Sequence, residues 1–379
     1  SAASDVYKRQ PRLLFVGLDS ASPALLRQWS EEGVLPTLAG LRATGRTARI
    51  AGTPGFGQVA HWISINSSTS VGRHGFYAIQ RVIPGEYSER ALSVDGDLDI
   101  ETFWNVLSRA GHQVGIVDMV RAPLGAVPNG FQVCDWLTHM PIDPPRSTPA
   151  DLVRELIDNY GSDPLGGNAD ARIDAGMTVE ELHARLQSRL DIRERAVVDL
   201  LRERPWDLFA IAFSETHDLG HTAWHQHERN HPRFDPVLAE SIGDPLRALY
   251  ERIDRSLATF LEAAGEPLTT VVVAGPGIST LTTANNLLDR ILMRLDRPWL
   301  RYLWGRFPPH PSKRKFFPLA HNALAGAIRI NLVGRERGGI VRPDDLTAVI
   351  GDLVADLRAL RNPDSGGPIV DQVVVVREH

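Results

Sequence analysis

The sequence predicts an α/β fold: a central, mostly parallel β-sheet with helices on both faces. Short apolar segments recur along the chain, at 12–20, 112–120, 206–215 and 268–275. Stretches with helical spacing lie between them, notably at 178–203 and 245–264. Strands buried on both faces are continuous apolar runs, and their alternation with helices is typical of a parallel sheet.

The first elements illustrate the pattern. The segment "RLLFVGLDS" (12–20) predicts a buried strand that delivers Asp19 into the loop at its carboxyl end. The next segment, "SPALLRQWSEEG", has a Ser cap, a Pro in the first turn and a closing Gly, which predict a helix. "LPTLAGLRATG" predicts a second short helix. Ligands of open α/β sheets bind beyond the carboxyl ends of strands, so Asp19, the segment from Glu215 and the loop at Gly275 are candidate site segments.

The domain organisation is interpreted from composition. Residues 1–10 show no periodicity and are expected to be a non-native or disordered leader. Residues 11–379 are expected to form a single domain, with an excursion at about 78–175 where Pro and Gly are frequent. The final segment, "PIVDQVVVVREH", predicts a strand. Because a strand needs partners for its backbone groups, we expect the C-terminal part of the domain to be missing.

Composition restricts the classes of partner. The 379 residues are 43% hydrophobic and 23% charged, as in ordinary globular proteins, with a net charge of −5. No basic stripe predicts binding to a nucleic acid duplex, and the "KRK" run at 313–315 is interpreted as a solvated loop. No apolar run approaches the roughly 20 residues of a membrane span. The sequence does not indicate an oligomeric state.

The chain has one cysteine, Cys134, which excludes an internal disulfide framework. Its neighbours in "FQVCDW" predict a strand, so Cys134 is interpreted as a small buried hydrophobic residue rather than a nucleophile. The lack of disulfides favours a reducing compartment, and we expect a cytoplasmic location.

The richest polar segment is "SETHDLGHTAWHQH" (214–227). His217 and His221 are four residues apart, so on a helix both imidazoles share one face, at a spacing that zinc sites use. The segment follows the apolar strand "LFAIAF", where polar residues usually serve a site, although an exposed, His-rich helix start is the alternative. Asp19 is interpreted either as a metal ligand or as a capping residue.

A second polar segment is "SSTSVGRHG" (67–75), in which two glycines flank Arg73 and His74. Its backbone N–H groups are candidates for binding an anion. Taken alone, the segment is interpreted as a plain turn.

Four phrases resemble, in the right order, the type I phosphodiesterase / nucleotide pyrophosphatase branch of the alkaline phosphatase superfamily. They are "LLFVGLDSASPALLRQWSEEGVLPTLAGLRATG", "HWISINSSTSVGRHG", "FSETHDLGHTAWHQHERNHPRFDP" and "GAIRINLVGRERGGIV". The spacing from Trp62 to His74 matches the family's Trp-containing element, and the phrases together extend over nearly the whole chain from residue 11. The resemblance implies an alkaline-phosphatase-like fold and a hydrolase of small phosphate or sulfate esters.

The resemblance also implies a site with two divalent metal ions, usually zinc, and a Thr or Ser nucleophile. Carried over by position, Asp19 ligates one metal and His217 and His221 ligate the other; family members often have Asp where His217 stands. Trp62 and His74 are the implied substrate-binding residues. Two such ions clamp the phosphoryl oxygens and activate the nucleophile.

The sequence departs from the family at the nucleophile. Counted back from Trp62, the nucleophile position falls on Gln58, whose amide cannot form a phospho-enzyme. Four hydroxyl residues lie near it, but each needs a shifted backbone to replace it: Thr53, Ser64, Ser67 and Ser68.

The metal ligands depart as well. The family's "SDHG" turn appears here as "AGPG", in which Gly275 and Pro276 have no ligating side chains. The late His of the other metal site is not found before the chain ends, and His321 precedes the "AIRINL" phrase where the family's His follows it.

Three hypotheses remain open from the sequence. The first is a metal-dependent phosphoester hydrolase with a degenerate second metal site, in which one ion and a bound water suffice. The second is a non-catalytic homologue that binds an anionic ligand or a partner protein. The third is a transferase acting on a carrier-bound or natural-product substrate.

Overall fold

The structure, a computed structural model, describes residues 12–52, 56–141, 143–280, 285–296, 309–320 and 325–376, except the side chains of Gln58 and Asn285. The strands are β1 (Arg12–Leu18), β2 (Gln80–Val82), β3 (Glu89–Ala91), β4 (Val114–Val117), β5 (Gly130–Cys134), β6 (Arg146–Thr148), β7 (Leu208–Phe213), β8 (Leu268–Ala274), β9 (Phe316–Leu319) and β10 (Ala327–Ile330).

The α-helices alternate with these strands along the chain. They are α1 (Pro23–Glu31), α2 (Pro36–Thr44), α3 (Gln58–Ser67), α4 (Val71–His74), α5 (Val94–Asp97), α6 (Phe103–Arg109), α7 (Leu152–Tyr160), α8 (Ala169–Asp174), α9 (Val179–Glu203), α10 (Glu215–His227), α11 (Pro236–Ile242), α12 (Pro245–Ala264), α13 (Leu288–Asp296) and α14 (Leu346–Ala359).

The central sheet confirms the predicted fold class. In the described part of the chain, six strands pair in the order β6-β5-β4-β7-β1-β8, and all neighbours are parallel except β5 and β6. The four segments predicted as buried strands are β1, β4, β7 and β8, but β8 stands last in this strand order and is only partly buried, with Thr269 and Val271 exposed. Strands β4 and β5, which lie within the segment interpreted as an excursion, belong to this sheet.

Helices cover both faces of the sheet. Leu14 and Val16 of β1 belong to a core cluster that also contains residues of α1, α9 and α12, whereas Leu13 and Phe15 pack on a second cluster that includes residues of α3 and α6. Successive strand residues point to opposite faces, so the continuous apolar run of β1 serves both clusters.

Capping side chains satisfy the first backbone N–H groups of two of these helices. Helix α1 begins at Pro23, and the Ser22 hydroxyl accepts a hydrogen bond from the Leu25 N–H. Helix α9 begins with a capping box, in which Thr178 and Glu181 each accept a backbone N–H of the other residue. Such caps satisfy donors that the first helical turn leaves free.

The chain divides into two compact units. The first comprises residues 1–53, 58–75 and 93–280 and contains the central sheet; the second comprises 54–57, 76–92 and 281–379. In the second unit β2 pairs with β3 and β9 with β10, both antiparallel, and Leu292, Phe316 and Leu353 form the centre of a small core. The single-domain interpretation of residues 11–379 stays a prediction.

Two local predictions in the second unit are wrong. The C-terminal segment from Pro368 has an isolated bridge to Arg361 but no strand among its described residues, up to 376, and Val374 and Val376 are exposed. An apolar segment forms a strand only when a neighbour accepts its backbone hydrogen bonds. In the "KRK" run, Lys313 and Lys315 are exposed, but Arg314, which follows a short 3-10 helix (Pro311–Lys313), is only 2% exposed.

Cys134 lies at the end of β5 and is buried, as predicted. Burial raises the pKa of its thiol to about 12. We therefore expect only about one thiol in 10⁴ to be ionised at pH 8, and the native protein to react very slowly with a disulfide reagent such as Ellman's reagent. Denaturation in guanidinium should release one rapidly reacting thiol per chain. Fast and complete reaction of the native protein would contradict the burial of Cys134.

The structure contains no helix, among the described residues, with the length and apolarity required to cross a bilayer.

Candidate functional site

Polar side chains converge where β1 and β7 end. Asp19 directly follows β1 and is 1% exposed, and its N–H donates to the Phe213 carbonyl at the end of β7 (2.8 Å). Helix α10 begins two residues after Phe213 and carries His217 and His221. The parallel register of β1 and β7 thus brings together residues almost 200 positions apart.

The Asp19 carboxylate is held by two ring N–H groups. Trp62 Nε1 donates to Oδ1 (2.6 Å), and His217 Nδ1 lies 2.8 Å from Oδ2. The Thr216 hydroxyl donates to the Asp19 backbone carbonyl. Gly17 makes room for this arrangement, because a Cβ at that position would lie 2.6 Å from the Trp62 ring. Trp62 is almost completely buried, so Asp19 is fixed in a closed environment.

The two histidines of α10 face each other. His217 Nε2 and His221 Nε2 are 3.1 Å apart, and His221 Nδ1 is 3.3 Å from Asp170 Oδ2 on α8. The hydrogen bond to His221 lowers the pKa of Asp170, so this carboxyl is ionised at neutral pH. Each imidazole therefore has a carboxylate at Nδ1 and directs Nε2 towards the other histidine.

A third imidazole, His139, adjoins this pair. Its ring stacks on His217, with 3.8 Å between centroids and 24° between planes, and its centroid lies 5.8 Å from that of His221. His139 Nδ1 is 2.6 Å from Asp218 Oδ1. His139 Nε2 is buried and has no hydrogen-bond partner in the described part of the chain. A buried nitrogen without a partner is costly, and this one lies beside the candidate site.

A buried network of ion pairs, formed by Arg189, Asp218 and Asp163, holds His139 in place. Arg189, fully buried on α9, bonds Asp218 Oδ2 (2.6 Å) and reaches both oxygens of Asp163 (2.9 and 2.7 Å). Burial raises the pKa of Asp218, but Arg189 and His139 outweigh it, and the net pKa lies below the ordinary value. Asp218 is thus an anion that fixes His139 through Nδ1.

Arg121 adds positive charge to the same sheet edge. Burial lowers the pKa of its guanidinium below the ordinary value, and the carboxylates of Asp19 and Asp135 offset part of this lowering. A guanidinium is suited to bind the oxygens of a carboxylate or phosphate.

The backbone at this edge is conformationally unusual. Ser20, Asp118 and Asp135 follow the ends of β1, β4 and β5, and all three adopt φ values between 48° and 59°. Residues other than glycine rarely adopt this left-handed backbone conformation, which costs on the order of 1 kcal/mol. Residues in this conformation cluster at functional sites.

His74 and the hydroxyl candidates have local partners. Ser64 Oγ is 2.9 Å from His74 Nε2, and burial lowers the pKa of His74, which favours the neutral ring. Ser67 Oγ donates to the Ile63 carbonyl (2.7 Å), while Ser68 is exposed with a φ of 54°. A substrate-binding role for His74 and Trp62 stays a prediction.

Several predicted positions fall outside the described residues. Gln58 begins α3, but its side chain is not described, and Thr53 and His321 lie outside the described ranges. Gly275 follows β8, where its backbone approaches Ser20: a Cβ on Gly275 would lie 3.4 Å from the Ser20 nitrogen. The turn that normally supplies two ligands is therefore close to Asp19 but presents only backbone.

The three residues predicted to bind metal lie at one edge of the sheet, as the sheet-edge argument predicts. His217 contacts both Asp19 and His221, and the role of the three residues as ligands stays a prediction. Among the described residues, no group of three or more His, Cys, Asp or Glu side chains is arranged to hold a metal ion. Sequence reasoning missed His139, Asp170 and Arg121; only Asp218 lay within a segment already singled out.

The comparisons with known proteins agree with this fold. Residues 13–375 match the family described as type I phosphodiesterase / nucleotide pyrophosphatase. No curated protein matches the chain in a sequence comparison. Phosphonoacetate hydrolase from Sinorhizobium meliloti 1021, solved with phosphonoacetate, is similar at 17% identity and a TM-score of 0.52, over 93% of this chain and 74% of that one.

Two further solved structures are similar. The same hydrolase with phosphonoformate gives 18% identity and a TM-score of 0.50 over the same shares of both chains. Murine ectonucleotide pyrophosphatase / phosphodiesterase 5, inactive and in complex with AMP, gives 13% identity and a TM-score of 0.35, over 70% of this chain and 56% of that one. At these identities the hydrolase structures support the fold of this chain and no more.

Proposed function

The chain belongs to the type I phosphodiesterase / nucleotide pyrophosphatase family, and we propose that it hydrolyses small phosphate esters at the carboxyl edge of its central sheet. The observation that carries this proposal is the contact network of Asp19, Trp62, His217 and His221, which is buried at one end and reaches solvent at His221. Arg121 adds a cation there, which suits a doubly charged phosphoryl group.

Members of this family typically depend on divalent metal ions, and the donors at this edge suit one ion. The 3.1 Å between His217 Nε2 and His221 Nε2 is close to the roughly 3.3 Å that separates two nitrogen ligands of tetrahedral zinc. A carboxylate at each Nδ1 is the usual support of an imidazole ligand. His139 is a third candidate donor through its unpartnered Nε2, although its stacked ring has to turn to reach the same ion.

A second ion has poor support. Its expected ligands are Asp19 and the turn at Gly275 and Pro276, but both Asp19 oxygens already face a ring N–H group, and the turn has no donor side chain. One carboxylate does not hold zinc. We therefore propose a one-ion site.

The chemistry follows from these residues. The ion, when bound, supplies Lewis-acid stabilisation of the phosphoryl oxygens. Asp19 holds His217 in one tautomer through Nδ1, and Arg121 balances charge on the phosphoryl group. Gln58 stands at the nucleophile position and cannot be phosphorylated, so water is the nucleophile and Gln58 is suited only to hydrogen-bond it.

The second candidate function is a non-catalytic homologue that binds an anionic ligand. It is favoured by the amide at position 58 and by the loss of ligands at Gly275 and Pro276. Two measurements on the full chain, hydrolysis of bis(p-nitrophenyl) phosphate and binding of phosphate, separate the hydrolase from the non-catalytic homologue. A protein that binds phosphate but does not hydrolyse the ester supports this second function.

Metal removal should abolish the hydrolysis, and zinc should restore it. We expect His221→Ala to weaken zinc binding by more than about 100-fold, because removal of a ligand exceeds the 10–100-fold effect of removing a residue that only supports one. His225→Ala is the matched control, since His225 lies on the same helix and its ring faces His231. Calorimetry at pH 7.5 measures both variants. Tight stoichiometric binding that survives His221→Ala would place the metal elsewhere and refute the one-ion site.

A further inference from the structure

The second unit contains a cavity that the hydrolase proposal does not use. Its volume is about 690 Å³, within the range of small-molecule sites. The side chains that define its character are Tyr87, Glu89, Asp289, His310, Arg314 and Phe317. Apolar and aromatic walls with a few convergent polar groups are typical of ligand sites.

Arg314 is the polar group that the fold leaves unsatisfied. The residue is 2% exposed, and its Nη1 lies 2.7 Å from Asp289 Oδ1, close enough for an ion pair but not aligned as a hydrogen bond. Its Nε and Nη2 are buried, and neither has a hydrogen-bond partner in the part of the chain that the structure describes. Leaving buried charged donors unpaired is among the costliest arrangements in a protein, so a partner is expected.

The free edge of the guanidinium specifies the chemistry of that partner. Nε and Nη2 lie on the same side of the planar group and donate in parallel, which matches two oxygens of one carboxylate or phosphate. Asp289 occupies the Nη1 side and leaves this fork open. Because the two atoms lie beneath the cavity surface, the guanidinium has to turn slightly for an anion to reach them.

The cavity wall around Arg314 is fixed in place. The Arg314 carbonyl accepts from the side-chain amide of Asn331 (2.9 Å), which is fully buried and whose Oδ1 accepts from the Tyr87 hydroxyl (2.7 Å). The Tyr87 ring lies edge-on to Phe317 and His310, with centroids 5.4 and 5.3 Å apart. These rings form an apolar wall of the cavity.

The acidic residues of the cavity are already engaged. Glu89 Oε1 accepts from the Ala320 N–H (2.7 Å), and Asp289 pairs with Arg314. We propose that this cavity binds a small organic oxyanion, a carboxylate or a phosphate monoester, whose oxygens take the Nε–Nη2 fork of Arg314 and whose flat apolar part lies against Tyr87 and Phe317. The site is independent of the proposed hydrolase chemistry.

Calorimetry with benzoate and phenyl phosphate tests the proposal. The full chain carrying His217→Ala is used, so that the sheet-edge site does not contribute to binding of phosphate. Both probes should bind, and Arg314→Lys should weaken both by roughly tenfold to a hundredfold, because lysine keeps the charge but loses the bidentate fork. Preference for one probe identifies the source of the oxyanion. Failure of both probes to bind, or an unchanged affinity in Arg314→Lys, would overturn the proposal.

A second variant distinguishes a binding role of Arg314 from a purely structural one. Asp289→Asn removes the competing carboxylate and should tighten binding of both probes several-fold, since Arg314 then has no other anion. An arginine that only stabilises the fold predicts a lower melting temperature for Asp289→Asn and no change in affinity. If Arg314→Lys fails to fold, Asp289→Asn decides alone: tighter binding supports the site, and unchanged affinity refutes it.

Discussion

His217→Ala is expected to lower kcat/KM for bis(p-nitrophenyl) phosphate by more than about 100-fold, because removal of a proposed metal ligand exceeds the 10–100-fold effect of removing a residue that only supports one. His217 joins the buried carboxylate of Asp19 to His221, so its loss disconnects both. Steady-state kinetics at saturating zinc measure the effect, because excess metal limits the contribution of weaker zinc affinity.

Two further variants show whether the loss of activity in His217→Ala is specific to the site. Asp19→Asn keeps the shape of the side chain but loses the carboxylate that orients His217, and should cost about 10–100-fold in activity or metal affinity. His225→Ala, on the same helix, should leave kcat/KM within about twofold. Equal losses in His217→Ala and His225→Ala would show that α10 is only structurally sensitive, and full activity of His217→Ala would rule out the proposed site.

Arg193→Met is expected to reduce the free energy of unfolding by about 3–5 kcal/mol. Arg193 is fully buried on α9, where it bonds Glu215 Oε1 (3.0 Å) and the Ala212 carbonyl (3.0 Å) and lies 3.6 Å from Asp118 Oδ2. It also donates to the Leu137 carbonyl. Without it, two buried carboxyl groups lose their cation, which urea denaturation at pH 7.5 measures.

The loss should depend on pH in a defined direction. Burial raises the pKa of Glu215 and of Asp118 even with Arg193 present. A carboxyl group whose pKa is raised in the folded state destabilises that state as pH rises above its pKa in the unfolded state, which is about 4. The loss in free energy of unfolding caused by Arg193→Met should therefore be smaller near pH 4.5 than at pH 7.5. A deficit that grows as pH falls would contradict this account.

The control for Arg193 lies two residues along the same helix. Arg195 is exposed, and its replacement by Met should change stability by no more than about 0.5 kcal/mol. Adding Glu215→Gln to Arg193→Met removes one stranded carboxylate and should recover part of the loss. If Arg193→Met and Arg195→Met behave alike, the buried network contributes little to stability.

Sequence patterns were sufficient to predict the main strands, the start of the first helix and the sheet edge where the candidate site lies. The continuous apolar runs of β1 and β7 predict buried parallel strands, and the capping residue Ser22 marks where the first helix begins. The position of Asp19 just after β1 and the four-residue spacing of His217 and His221 predict that these side chains meet at one sheet edge. Each prediction depends only on neighbours along the chain or on the rule that parallel strands end at a common edge.

The remaining decisions required the tertiary structure, because they depend on contacts between segments far apart in sequence. His139 stands alone in "WLTHMP", and only the packing of Asp218 and His217 around it makes it part of the site. Arg314 reads as one residue of a solvated basic run, yet the fold buries it and leaves its donors open. The apolar C-terminal segment forms no strand in its described part, up to residue 376, since strand formation depends on a pairing partner and not on the segment alone.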